Sequence, residues 1–328
     1  MRRRTSVAVP KSCIQNGLLI LDFEYPDAVS TYSLGLSEND ERLIAIHFKQ
    51  ILFEEQEETD SILFGKDSNA SDFFYGGWNA IGEHGACWTN ETASLIATLP
   101  GESSQRMEVT YTTNPAAGDT SVYYNDEYIG TLPYHDGHTT EEILLPAQYR
   151  SDTGAQMITF VTDGATTYDG RVDEDERILG VHVSKIHFAE VKEAETILFT
   201  ENGNAGDFFY DGWNAMGENG ACWTNETANL IAALPGGSSQ RMEITYTTNP
   251  AAGDTSVYYN DEYIGTLPYH DGHTTEEILL PSQYRSDTDA QIITFVTDGA
   301  TTYAGRVDGD KRILGVHVSK IHFTNAQE

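Results

Sequence analysis

The sequence predicts an all-β protein, two antiparallel, jelly-roll-like β-sandwiches in tandem, and three observations carry that prediction. Residues from Asp72 to Phe188 align without a gap onto Asp207 to Phe323, at a constant offset of 135, with about nine positions in ten identical. Strand-like runs recur roughly every ten residues with turn chemistry between them, the spacing of sandwiches and barrels. No segment shows a sustained 3.6-residue apolar period, so helices should be few and short.

The repeat sets the domain organisation. A period this long exceeds that of solenoid repeats, so each copy should be a whole domain: 59–193 for the first and 194–328 for the second. Residues 1–58 carry an echo of the same unit. Asp40-Glu41-Arg42-Leu43-Ile44 precedes Asp175-Glu176-Arg177-Ile178-Leu179 by the same 135 residues, and Ile51 and Phe53 precede Ile186 and Phe188 likewise. The segment reads as the C-terminal strands of a diverged upstream repeat.

Within each copy the strands follow from alternation. Met107, Val109 and Tyr111 share one parity, with Glu108, Thr110 and Thr112 on the other, which is a half-buried strand. Asn114-Pro115-Ala116-Ala117-Gly118-Asp119 breaks it. Val122-Tyr123-Tyr124 and Tyr128-Ile129-Gly130 flank Asn125-Asp126, whose tolerance of positive φ suits a tight hairpin. Glu142 to Leu145 and Gln156 to Val161 supply further strands. In the closing strand Val181 and Val183 have one parity, Ile186 and Phe188 the other. A bulge near Ser184-Lys185 would return both pairs to the core.

Charge and cysteine content narrow the function classes. Against 19 Lys and Arg stand 51 Asp and Glu, a formal net charge of −32. Such a surface repels nucleic-acid phosphates and anionic membranes, so neither is expected as a partner. No run reaches the eighteen or so apolar residues of a membrane span. Leu18-Leu19-Ile20-Leu21 is too short for a signal-peptide core, so the chain as it stands reads as cytoplasmic; a truncated N-terminus would leave a surface or extracellular location open. Three cysteines, Cys13, Cys87 and Cys222, leave one thiol per repeat, the pattern of small buried hydrophobes rather than a disulfide framework.

The densest chemistry lies in the loop Asp72-Phe73-Phe74-Tyr75-Gly76-Gly77-Trp78-Asn79, continuing through Glu83 and Gly85 to Trp88. Aromatic rings stack on sugar C–H faces while carboxylates and amides take the hydroxyls. Tyr75, Trp78, Asn79, Glu83 and Trp88 are therefore candidate ligand-binding residues, with Tyr210, Trp213, Asn214, Glu218 and Trp223 as their twins. The competing reading makes the same aromatics a plug at one end of the sandwich. Asp173-Glu174-Asp175-Glu176 could attract calcium, but the second copy reads Asp308-Gly309-Asp310-Lys311. What persists is an Asp two residues before an Arg, expected as a structural ion pair: Asp175 with Arg177, and Asp310 with Arg312. His135 and His138 lack the further ligands that zinc needs. No metal site, cofactor or catalytic residue is predicted, and no nucleophile elbow, zinc-protease or phosphate-loop pattern appears.

The order of motifs completes the reading. Gly77-Trp78, then Glu83-x-Gly85-x-x-Trp88-Thr89, then Asn125 in a hairpin, then Asp175-Glu176-Arg177-Ile178-Leu179-Gly180-Val181, closing on Ile186 and Phe188, resembles the β-sandwich accessory domains of bacterial glycosyltransferases and cell-surface polysaccharide proteins. The resemblance implies a non-catalytic, carbohydrate-binding-like role with a glycan as partner. No transferase domain accompanies the modules. A structural or protein-interaction repeat with no glycan site is the alternative, since these motifs can equally mark the fold.

Overall fold

The computed structural model describes residues 29–30, 43–44, 58–65, 68–81, 85–151, 154–167, 177–214, 221–234, 236, 238–286, 289–302 and 312–326. Two short strands, β1 (Val29–Ser30) and β2 (Leu43–Ile44), pair antiparallel ahead of the repeats. The first repeat then contains β3 (Ser61–Leu63), β4 (Phe74–Trp78), β5 (Cys87–Thr98), β6 (Gln105–Thr113), β7 (Thr120–Tyr124), β8 (Glu127–Leu132), β9 (Thr139–Leu145), β10 (Ala155–Thr162) and β11 (Val181–Glu190). The second reproduces them 135 residues on. It contains β12 (Thr196–Leu198), β13 (Phe209–Trp213), β14 (Cys222–Ala233), β15 (Gln240–Thr248), β16 (Thr255–Tyr259), β17 (Glu262–Leu267), β18 (Thr274–Leu280), β19 (Ala290–Thr297) and β20 (Val316–Asn325).

Each repeat is an antiparallel sandwich, as the sequence predicts. One layer runs β8-β7-β10-β5-β4 and the other β9-β6-β11-β3. The long strand β5 belongs to both layers. Its first residues, Cys87 and Trp88, pair with Val183 and His182 of β11, whereas 92–98 pair with β10. Leu95, Met107, Tyr111, Val122, Ile158, Phe160 and Ile186 fill the space between the layers, all fully buried. The second repeat has its own equivalent core, around Leu230, Met242, Tyr246, Val257, Ile293, Phe295 and Ile321. Helical structure among the described residues is confined to single 3-10 turns such as Ala70–Asp72 and Ala147–Tyr149.

Two local predictions are met in detail. Asn125 and Asp126 take φ of 49° and 72°, the left-handed pair a tight hairpin requires, and Asn260 and Asp261 repeat it. The Asn125 amide also donates to Tyr149 O and Gln156 Oε1, and its oxygen accepts from Met157 N. In β11 the register against β6 shifts between Val183 and Lys185, leaving Ser184 as the extra residue. Val183 and Ile186 are both fully buried as a result. The Ser184 hydroxyl donates to Thr110 O at 3.1 Å, and Ser319 repeats that bond to Thr245 O.

Deleting Ser184 forces one apolar pair of β11 out of the core. Each expelled side chain costs about 1.5–3 kcal/mol, so the first repeat should melt well below the second in a calorimetric scan. A scan indistinguishable from that of the parent protein would refute the bulge as the device that sets the β11 register.

Candidate functional site

The aromatic loop of each repeat does not stay together; the fold deals its residues to three places. Trp78 turns toward the core. It stacks on Phe74 at 4.9 Å and 4°, meets Phe160 edge-on at 5.9 Å, and donates its Nε1–H to Ser94 O at 2.8 Å. Gly77 permits this approach: at φ 77°, a Cβ there would lie 1.9 Å from Thr92 O. Trp213 repeats the arrangement with Phe209, Phe295 and Asn229 O. Both indoles are half-buried with a ring already on one face.

Asn79 ties the loop to β5. Its amide donates to Trp88 O and Asn90 Oδ1, both at 3.1 Å, and its carbonyl accepts from Cys87 Sγ. Asn214 does the same for Trp223 O, Asn225 Oδ1 and Cys222. Burial pushes both thiols up to about 12, so they stay protonated and act as donors rather than nucleophiles. Trp88 lies on the outer face of the other layer, stacked on His182 at 4.4 Å, and Trp223 stacks on His317 at the same distance. Glu83, Glu218, Asp175 and Asp310 fall outside the described residues; Arg177 and Arg312 are exposed.

Tyr75 and Tyr210 occupy equivalent positions and have different surroundings. Tyr75 is 48% exposed, at the rim of a shallow cavity of about 320 Å³ lined also by Asn125, Asp126, Ser151 and Met157. Tyr210 is covered by the first repeat. It joins Val191, Ile231, Ala290, Ile292 and Leu144 in a small apolar cluster between the modules, with its hydroxyl against the Leu144 backbone. Arg106 Nη1 donates to Asp207 O at 2.7 Å across this joint while pairing with Glu142 at 2.6 Å. Ser104 N donates to Asp289 Oδ2 at 2.9 Å, and Lys192 pairs with Asp207 at 3.0 Å. Burial, partly offset by Arg106, raises the Glu142 pKa, and the Asp211 carboxylate adds to the shift.

A second aromatic surface is repeated in both modules. Tyr123 on β7 and Tyr128 on β8 sit directly opposite one another on the outer face. Their rings form a T-shaped pair at 5.9 Å and 70°, and Tyr258 with Tyr263 reproduces it at 5.8 Å and 72°. Tyr128 is 57% exposed and Tyr263 55%, so the joint covers neither. Their hydroxyls bond Thr131 Oγ1 and Thr266 Oγ1. Strand register continues the row sideways from Tyr123 to Thr159 and Ser94, and from Tyr258 to Thr294 and Asn229. In the sequence these tyrosines read as strand residues only. The available signal was the parity of Tyr123 against the core positions Val122 and Tyr124.

Among the described residues no group of three His, Cys, Asp or Glu side chains is arranged to hold a metal ion, and no helix is long and apolar enough to cross a membrane. No family model and no curated protein matches the chain. Solved structures similar to it include the tandem CBM51 modules of a family 98 glycoside hydrolase from Streptococcus pneumoniae, at 9% identity and TM-score 0.23, covering 82% of this chain and 89% of that one. The CBM22-1–CBM22-2 tandem of Xyn10C from Paenibacillus barcinonensis shows 13% identity and TM-score 0.29, covering 81% and 97%. The ANX1 ectodomain from Arabidopsis thaliana shows 9% identity and TM-score 0.30, covering 79% and 90%. Likeness at this level transfers no function to the chain.

The histidine beneath Trp223 gives a pH test. Burial, then the neighbouring His273, lowers the His317 pKa from 6.5 to about 4, against a hydrogen bond that the ring donates to the Ala221 backbone, which raises it. Between those values the unfolded chain binds the proton and the folded one does not, so stability rises with pH. The contribution is fully present above pH 6.5 and is lost as pH falls through 4. His317→Phe keeps a ring against Trp223 and should flatten the pH dependence of the second module's melting temperature over that window. An unchanged slope would remove His317 as its source.

Proposed function

We propose that the chain is a non-catalytic carbohydrate-binding tandem module whose sugar-stacking surface is the outer face of β7 and β8, with its counterpart on β16 and β17. The observation that carries this reading is the tyrosine pair, half-buried Tyr123 with exposed Tyr128 and Tyr258 with Tyr263, kept in nearly the same geometry in both repeats. An open ring offers a flat apolar face to a pyranose, and the adjoining Thr159 and Ser94, or Thr294 and Asn229, offer partners for its hydroxyls. The loop aromatics favoured by sequence are less available, because Trp78 and Trp213 each carry a phenylalanine ring on one face.

Two sites on one chain raise affinity for a polymer through effective concentration, which suits a polysaccharide more than a free monosaccharide. The motif resemblance to polysaccharide-associated accessory domains points the same way. One observation favours a second reading, a purely structural repeat: Tyr210 and its neighbours are spent on holding the modules together.

A glycan array separates the two. The intact protein should retain one class of polysaccharide, and Tyr128→Ala with Tyr263→Ala should weaken that retention by roughly tenfold or more, the loss expected from about 1 kcal/mol of stacking at each of two sites. An array blank for the intact protein would leave the structural repeat as the reading.

A further inference from the structure

The joint between the modules is built from two surfaces, and the repeat presents each of them a second time. The first module contributes Arg106, Glu142 and Leu144; their equivalents on the second are Arg241, Glu277 and Leu279. The second contributes Tyr210, Ile231, Ala290 and Ile292; their equivalents on the first are Tyr75, Ile96, Ala155 and Met157. The exposures differ as an occupied and an open joint should. Arg106 is 7% exposed, whereas Arg241 and its partner Glu277, 2.9 Å apart, lie at the surface. Leu279 is 51% exposed and Tyr75 48%, two large apolar side chains left on opposite ends of the tandem.

We infer that copies of this chain associate head to tail, the Leu279 surface of one docking on the Tyr75 surface of the next. The occupant follows from continuity with the internal joint. The surface that fits the Tyr75 cavity is already present in the chain, in the form that Leu144 and Arg106 show at Tyr210 and Asp207. In the intermolecular joint Leu279 would enter the Tyr75 cavity, and Arg241 would reach the carbonyl of Asp72, as Arg106 reaches that of Asp207.

Besides Met157 for Ile292 and Thr98 for Ala233, two charge-changing differences between the repeats fall on this surface. Asp211, whose charge opposes ionisation of Glu141 and Glu142, is replaced by Gly76, which removes an acid–acid contact from the open joint. Asp289, which accepts from Ser104 N, is replaced by Gly154, which removes a hydrogen bond. The intermolecular joint therefore loses a repulsion, a hydrogen bond and the Lys192–Asp207 ion pair, since Gln327 is the counterpart of Lys192, and it lacks the covalent link that holds the internal one together. It should be weaker and reversible. A heterologous contact of this kind does not close on itself, so the products are linear chains. With −32 formal charges on each copy, added salt should promote it by screening.

Sedimentation velocity over a concentration series tests the inference. The parent protein should show a weight-average mass that rises with concentration, and rises further at 0.15 M salt or above, where the Debye length is about 8 Å or less. Leu279→Asp and Tyr75→Asp each remove one surface and should each weaken association by roughly tenfold or more, as loss of a central anchor does. Mixed together, the two variants retain one intact surface of each kind and should form a dimer that stops there. Both positions are exposed, and an unchanged melting curve confirms that each variant folds. The inference is overturned if the parent stays monomeric throughout. It is overturned equally if either variant associates like the parent, or if the mixture yields no dimer. Occupation of the Tyr75 surface by residues 1–57 of the same chain would appear as the first of these outcomes.

Discussion

The change of layers by β5 is the constraint on which the rest of each module depends, and Thr89 secures it. Its carbonyl accepts from Gly180 N at 2.9 Å and its hydroxyl accepts from Val181 N at 3.0 Å, both buried. Just before it, Cys87 and Trp88 belong with β11; just after, the strand leaves to pair with β10. Gly180 must be glycine, because a Cβ would lie 2.5 Å from Thr162 Oγ1 and 2.6 Å from Thr89 Oγ1. Asn114 closes the same corner by donating to Thr166 O and Leu179 O. Thr224, Gly315, Val316 and Asn249 repeat every part of it. The Trp-Thr and Leu-Gly-Val stretches, ninety residues apart in sequence, thus meet at one point. Their recurrence is explained by the fold before any ligand is invoked.

From that corner the aromatic loop has little freedom. With Cys87 fixed on β11, Asn79 can bind its thiol and the Trp88 carbonyl only by running back along β5. That path presses Gly77 onto Thr92 and turns Trp78 inward. Only Tyr75 is left to point away. Whether it meets water or another module is then decided outside its own repeat. Where Leu144 is present the tyrosine becomes part of an apolar cluster; where it is absent the same side chain borders an open cavity.

This explains which features were legible in the sequence. Parity within a strand is a local property, so the Ser184 bulge and the Asn125-Asp126 hairpin could be read directly. The two-layer sandwich followed from alternation and turn spacing. Trp78 was open to two readings, because flanking glycines suggest an exposed loop whereas Gly77 is also required by its contact with the Thr92 backbone, which leaves the indole half-buried. Tyr128 was invisible for a different reason. Its partner Tyr123 is five residues away but across a hairpin with a register shift, and alternation alone does not show that the two rings share a face. The joint was least legible of all. It unites positions from both copies that look equivalent in sequence, and only the order of the copies makes one set buried and the other open.

The joint also bears on what a tandem of tyrosine pairs can recognise. Only Val191 to Glu195 separates β11 from β12, and the contacts of Arg106, Ser104 and Tyr210 hold the modules against each other. Two surfaces linked by a flexible tether would accept many ligand spacings, each at an entropic cost on ordering. Surfaces held by a packed joint avoid that cost for the ligand that matches their separation and gain nothing from one that does not. For the proposed glycan-binding role, specificity would then reside in the length and shape of a polymer as much as in the chemistry of one residue. The replacement of Ser94 by Asn229 beside otherwise matching tyrosines sharpens the point: Thr159 meets a hydroxyl in one module, and Thr294 donates to an amide oxygen in the other. On the proposed glycan-binding reading, two nearly identical faces held by one joint and differing at one polar position would suit successive units along one polymer rather than two independent ligands.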